Sequence, residues 1–150
     1  MGGALKACIE LVDEKKYPAK FLGWARLERQ AVLMRTPPPH VGYVIEESIL
    51  ERTLGGAEVL KEQLLHLLEC MRRMNHLTVQ VMPSDQHTHA GLNGPMQLVC
   101  TAEGRNLGGD RLISKPEQVG GMFDLFGILR AQALTPWKSA EIIETKARQL

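Results

Sequence analysis

The sequence predicts an α+β domain in which a small, mainly antiparallel sheet of three to four strands packs with about six helices. Three observations carry this. Apolar residues recur at three- and four-residue spacing in several segments, the mark of helices with one buried stripe. Three short runs are instead rich in β-branched and aromatic residues, as half-buried strands are. The order is helix, helix, strand, helix, helix, strand, strand, helix, helix, which suits helices gathered on one face of a sheet. At 150 residues, 44% hydrophobic and 23% charged, the chain is expected to form a single domain over residues 1–150 with a true core.

The elements follow in order. Leu5, Ile9 and Val12 lie at helical spacing, so a first helix is expected within residues 1–17. Pro18 suits the opening of a second, because its missing N–H costs nothing in a first helical turn. Phe21, Trp24, Leu27, Ala31 and Met34 form that helix's stripe, and Pro37-Pro38-Pro39 ends it. Val41 to Glu46 reads as a strand. Ser48 is placed to cap a short helix that stops at Gly55-Gly56, and a longer helix over 57–74 buries Leu60, Leu64, Leu67, Leu68 and Met71. Leu77 to Met82 is a second strand, residues 84–95 a loop, and residues 96–101 a third strand. Residues 104–110 read as a turn or loose connection. Pro116 opens a helix with the stripe Val119, Met122, Phe123, Phe126 and Leu129. Thr135 is an N-cap with Pro136 behind it, and Trp137, Ala140 and Ile143 are expected to pack the last helix down. A sheet this small leaves open edges, so a homodimer is expected.

Charge excludes some functions. Lys plus Arg is 18 and Asp plus Glu is 17, a net charge of +1. That gives no footprint for nucleic acid or an acidic membrane, and neither is expected as a partner. No uncharged run approaches the roughly 20 residues of a membrane span, and the N-terminus does not read as a signal peptide. Cys8, Cys70 and Cys100 are odd in number and far apart, so reduced thiols in a cytoplasmic protein are expected rather than a disulfide framework.

Several residues invite a chemical reading, and each has a plainer one. His87 and His89, with Asp85 and Cys100, suggest a metal site. Zinc needs three or four converging ligands, and no third stands at motif spacing, so no metal and no cofactor is expected. Gly91-Leu92-Asn93-Gly94-Pro95 lacks the lysine and helix of a phosphate cradle and reads as a tight connection. Glu46 and Glu47 are adjacent in a strand, so at most one reaches a shared pocket, the other being solvated or paired with Arg52. Ser48 has no visible base.

The stretch from Arg26 to Glu69 carries R-x-E-R-Q (Arg26 to Gln30), the proline-rich turn, E-x-x-L (Glu47 to Leu50), a glycine pair and E-Q-L-x-x-L (Glu62 to Leu67). V-x-V-x-P follows at Val79 to Pro83, H-x-G-x-x-G at His89 to Gly94, and L-x-x-x-A-L-x-x-x-x-S at Leu129 to Ser139. Together these resemble the C-terminal domain found behind xenobiotic-response-type helix-turn-helix modules in bacterial, antitoxin-like regulators. On this resemblance residues 18–150 are the regulator-type domain, here without its DNA-binding part. His89 is implied to brace the glycine loop. Residues 103–114 depart from the family, replacing an acidic strand with a loop.

The methionines allow two readings, ordinary core or an adaptable apolar wall. In the second, Trp24, Tyr43, Met82, Met96 and Phe123 line a cavity between sheet and helices, with His87 and His89 on the loop at its mouth. Such a cavity suits an apolar, natural-product-like molecule. An enzyme built on it is a cofactor-free cyclase, because pericyclic closure of a polyene or polyketide chain needs positioning more than acid–base groups. Tyr43, His89 or Trp24 would supply a polarising hydrogen bond. The alternative is a stand-alone sensor or antitoxin-like accessory regulator that binds a small protein partner.

Overall fold

Two strands with the same direction form the centre of the molecule. The computed structural model describes residues 31–94, 97–101, 104–108 and 116–150. β1 (Val41–Glu46) pairs with β2 (Leu77–Met82) in parallel, Val41 beside Leu77 and Glu46 beside Met82. A 3-10 turn (Glu47–Glu51) and helix α1 (Ala57–Arg73) connect them. Gly55 and Gly56 have φ of 87° and 102°, left-handed values that glycine adopts without strain, and they turn the chain into α1. The helix has Glu58 in its first turn and Arg72 and Arg73 in its last, each sign matched to the local helix dipole.

β3 (Gln97–Thr101) and β4 (Gly104–Gly108) form a separate antiparallel pair. Helix α2 (Pro116–Gln132) follows, in contact with β4 and with the 3-10 turn Ala90–Asn93. Helix α3 (Pro136–Gln149) ends the chain.

This corrects the expected fold. Among the described residues there are three α-helices and two two-stranded sheets, not about six helices around one mainly antiparallel sheet of three to four strands. The reason is physical. A helix of 17 residues spans roughly 25 Å, enough to carry the chain back to the start of β1, so the next strand runs parallel. A third strand does not add to β2 because the α2–α3 corner occupies its outer edge. Residues 104–108, expected as a loose connection, form β4. The two expected N-terminal helices lie outside the described residues, apart from the 3-10 turn Ala31–Met34.

The core lies on one face of the parallel pair. Ile45, Leu77, Val79 and Val81 meet Leu60, Leu64 and Leu68 of α1 and Ile143 and Ala147 of α3. The opposite face carries Gly42, Val44, Gln80 and Met82. A Cβ at Gly42 would stand 4.0 Å from the Phe126 ring of α2, and Gln80 bonds Arg130 of the same helix, so α2 lies on this side. β2 is buried on both faces, as strands of parallel units usually are.

α3 starts as expected. The Lys138 N–H donates to Thr135 Oγ1 at 3.3 Å, with Pro136 at the first turn. Trp137 does not pack the helix down. It is 75% exposed, and its indole N–H donates to Glu141 Oε1 at 2.9 Å. Ser139 is fully buried instead, and its Oγ accepts from the Val81 N–H at 2.9 Å while donating to the Thr135 carbonyl. The Leu134 N–H donates to the Val81 carbonyl at 2.9 Å. Gln80, 6% exposed, donates to the carbonyls of Arg130 and Leu134 and accepts from Arg130 Nε at 2.9 Å. Among the described residues no buried side-chain nitrogen or oxygen lacks a partner.

Ser139→Ala removes the acceptor of the buried Val81 N–H and supplies none in its place. It is expected to lower the unfolding free energy by about 1–3 kcal/mol in urea titrations with an unchanged m-value. Wild-type stability in this variant would show that the serine does not hold the strand edge.

Candidate functional site

Ligand sites in parallel α/β units gather beyond the carboxyl ends of the strands. Here that end is formed by Glu46, Glu47 and Ser48 after β1 and by residues 83–94 after β2. Glu47 Oε2 accepts from the Ser84 N–H at 2.9 Å, so the carboxylate ties the two strand ends together. Lys146 of α3 lies 3.6 Å from Glu47 Oε1 and also pairs with Glu51. The Ser84 hydrogen bonds and the Lys146 charge hold the Glu47 carboxyl below the usual range, against the opposing effect of burial. Hydrogen bonding to Glu51 raises the Lys146 pKa, with both carboxylates adding to the shift. Glu46 is exposed and accepts from Ser48 Oγ at 3.4 Å. Glu47 thus pairs with Lys146 and Ser84 rather than with Arg52.

The loop after β2 is braced from within. His89 Nδ1 accepts from the Gly91 N–H at 3.2 Å, capping the 3-10 turn. The proton of a neutral His89 ring is therefore on Nε2. The Ala90 N–H donates to Gln132 Oε1 of α2 at 3.1 Å. Gly91 is tightly surrounded: a Cβ there would stand 3.1 Å from His89 Nδ1 and 3.2 Å from Leu129 Cδ1, so these neighbours would have to give by a few tenths of an ångström.

The proposed cavity residues are divided by the sheet. Tyr43 pairs in register with Val79 and packs, half-buried, against the core. Met82, 2% exposed, pairs with Glu46 on the opposite face. One cavity does not take both as walls. Phe123 is half-buried on α2, one turn from the Phe126 that meets Gly42, on the side of Met82. His87 is exposed and His89 half-buried. Trp24 and Met96 lie outside the described residues. No group of three or more His, Cys, Asp or Glu side chains among the described residues is arranged to hold a metal ion. Cys70 sits 3.5 Å from His66 Nε2, and burial, with Glu69 adding, pushes its thiol up, away from the thiolate a nucleophile needs.

A family model described as "Domain of unknown function (DUF5753)" matches residues 22–145. The chain belongs to this family. No curated protein and no solved structure matches it. The DUF5753 match takes in β1 to β4, α1, α2 and most of α3, and with them the whole strand-end cluster except Lys146. No helix among the described residues is long and apolar enough to cross a membrane.

Sequence reasoning missed Gln80, Ser84, Gln132, Ser139 and Lys146. Two had a signal. Gln80 is the polar residue inside an apolar strand, and Ser139 closes the segment L-x-x-x-A-L-x-x-x-x-S from Leu129 to Ser139.

The strand-end tie predicts a pH dependence. The Glu47 pKa is lowered in the folded chain, so its contribution is present above the unfolded value and is lost as pH falls through the folded one. Glu47→Gln is expected to cost about 1 kcal/mol near neutral pH, with the gap to wild type closing on acidification below the ordinary carboxylate range. Urea unfolding across about pH 7 to 3 measures it, and a gap independent of pH would contradict the assignment.

Proposed function

We propose that this DUF5753 chain is an effector module of the helix-turn-helix regulator type, acting by binding a small protein partner rather than by catalysis. The carrying observation is that two exposed apolar side chains flank the contact between the Ala90–Asn93 turn and α2. Leu92 and Ile128 are 62% and 53% exposed, and each is next in sequence to a member of the close Gly91–Leu129 contact. Exposed apolar groups on a braced loop are what a protein interface uses. Leu92 lies within the H-x-G-x-x-G segment by which the sequence resembles antitoxin-like regulators. The two best-placed acid–base groups, Glu47 and His89, have structural work instead: one ties the strand ends and the other caps the turn.

A second reading, an apolar small-molecule site, is favoured by the sheet face that carries buried Met82, where Gly42 leaves room for the Phe126 ring of α2. If that site closes rings, His89 Nε2–H is the candidate donor, because Tyr43 faces the core on the other side.

Native mass spectrometry separates the readings. Isolated from native cell extract, the chain is expected to travel as a complex with a small protein, which Leu92→Glu or Ile128→Glu weakens roughly tenfold or more without loss of helical signal. A chain that forms no such complex, yet carries a small apolar molecule out of native cell extract, would overturn the partner reading in favour of the ligand.

A further inference from the structure

The two edges of the parallel pair are treated differently. The Val41 N–H donates to the His76 carbonyl, and Val41 is paired with Leu77. In a parallel ladder this sends the peptide groups of Val41, Tyr43 and Ile45 toward β2, and those of Gly42, Val44 and Glu46 outward. By the same alternation Leu77, Val79 and Val81 point their peptide groups away from β1. Two of these three have partners on that side: Ser139 and Leu134 satisfy Val81, and the Leu77 N–H donates to the Met74 carbonyl. Among the described residues the outer edge of β1 has no such cover, since β1 pairs there with β2 alone. Natural sheets protect open edges with lysine, proline or a bulge. Val-Gly-Tyr-Val-Ile-Glu has no lysine or proline, and its register with β2 runs unbroken from Val41 to Glu46.

We propose that the open edge of β1 is a self-association site, where β1 of a second copy of this chain adds antiparallel across a two-fold axis at Val44. The sequence of the edge fixes both occupant and register. Centred on Val44, the pairing sets Val44 opposite itself and Gly42 opposite Glu46 of the second copy. About six peptide hydrogen bonds form, and the two Glu46 carboxylates stand apart, each facing a glycine that leaves room for it. Centred on Glu46, it would set like charges directly opposite each other, which is unfavourable. Centred on Gly42, it would lose the apolar pair at the middle. The product is a four-stranded sheet in the order β2–β1–β1–β2, closer to the size at which sheets are stable than a pair of short strands. α1 and α3 lie on one of its faces and α2 on the other. This surface is distinct from the Leu92–Ile128 surface, so either assignment stands without the other.

Sedimentation of the full chain at about 10 to 100 µM tests it. Wild type is expected at about twice 16.7 kDa. Val44→Pro places its ring on the outward edge without removing a bond to β2, so it is expected to be monomeric with an unchanged circular dichroism spectrum. Val44→Lys keeps every N–H but sets like charges opposite each other, and is expected to raise the dimer Kd roughly tenfold at low salt, with recovery at high salt. If Val44→Pro fails to fold, the lysine variant decides. Wild type remaining a monomer, or a dimer whose Kd and salt dependence ignore Val44→Lys, overturns the proposal.

Discussion

The outer edge of β2 is the constraint on which the described fold depends. This strand is buried on both faces, so neither its peptide groups nor the amide of Gln80 can turn to water. The α2–α3 corner answers both needs. Leu134 and Ser139 take the carbonyl and N–H of Val81, and the carbonyls of Arg130 and Leu134 take the Gln80 amide. Those bonds set where α3 begins, and thereby bring Ile143 and Ala147 over Val79 and Val81. They also hold the end of α2, whose Gln132 and Leu129 brace the Ala90–Asn93 turn.

The strand-end cluster follows from this placement. With α3 docked by Ser139, Lys146 arrives two turns later beside Glu47 and Glu51. Glu47 then has a cation on one side and the Ser84 N–H on the other, and it joins three segments at the end where parallel strands usually bind ligands. A site whose carboxylate and imidazole already hold the backbone is poorly equipped for proton transfer. The exposed side chains of Leu92 and Ile128 are better suited to contact, in keeping with the recognition role proposed above.

Local chemistry was legible in the sequence, and topology was not. The bounds of β1 and β2, the start of α1 behind two glycines, the Pro116 start of α2 and the Thr135 cap all follow from residue type at fixed offsets. Strand direction does not, because the same alternating pattern serves either kind of sheet. The direction decided the site. Parallel pairing with Val41 beside Leu77 puts Tyr43 with Val79 and Met82 with Glu46, on opposite faces, so a cavity sharing both side chains was lost with the antiparallel expectation. Trp137 shows a second limit: helical spacing marks a face but not whether anything covers it, and in the first turn of α3 the indole is exposed. His89 fared differently, because its motif implied a brace and the ring does cap the turn.

Hydrogen exchange at two backbone amides tests the central claim most directly. If the α2–α3 corner is integral to the core, the amides of Val81 and Leu134 exchange only through global unfolding, with the same free energy as the Ile143 amide and as urea titration gives. Exchange at Val81 and Leu134 through a smaller opening, while amides of α1 such as Leu64 and Leu68 stay protected, would show that the corner detaches alone and that the edge of β2 is not what holds the fold together.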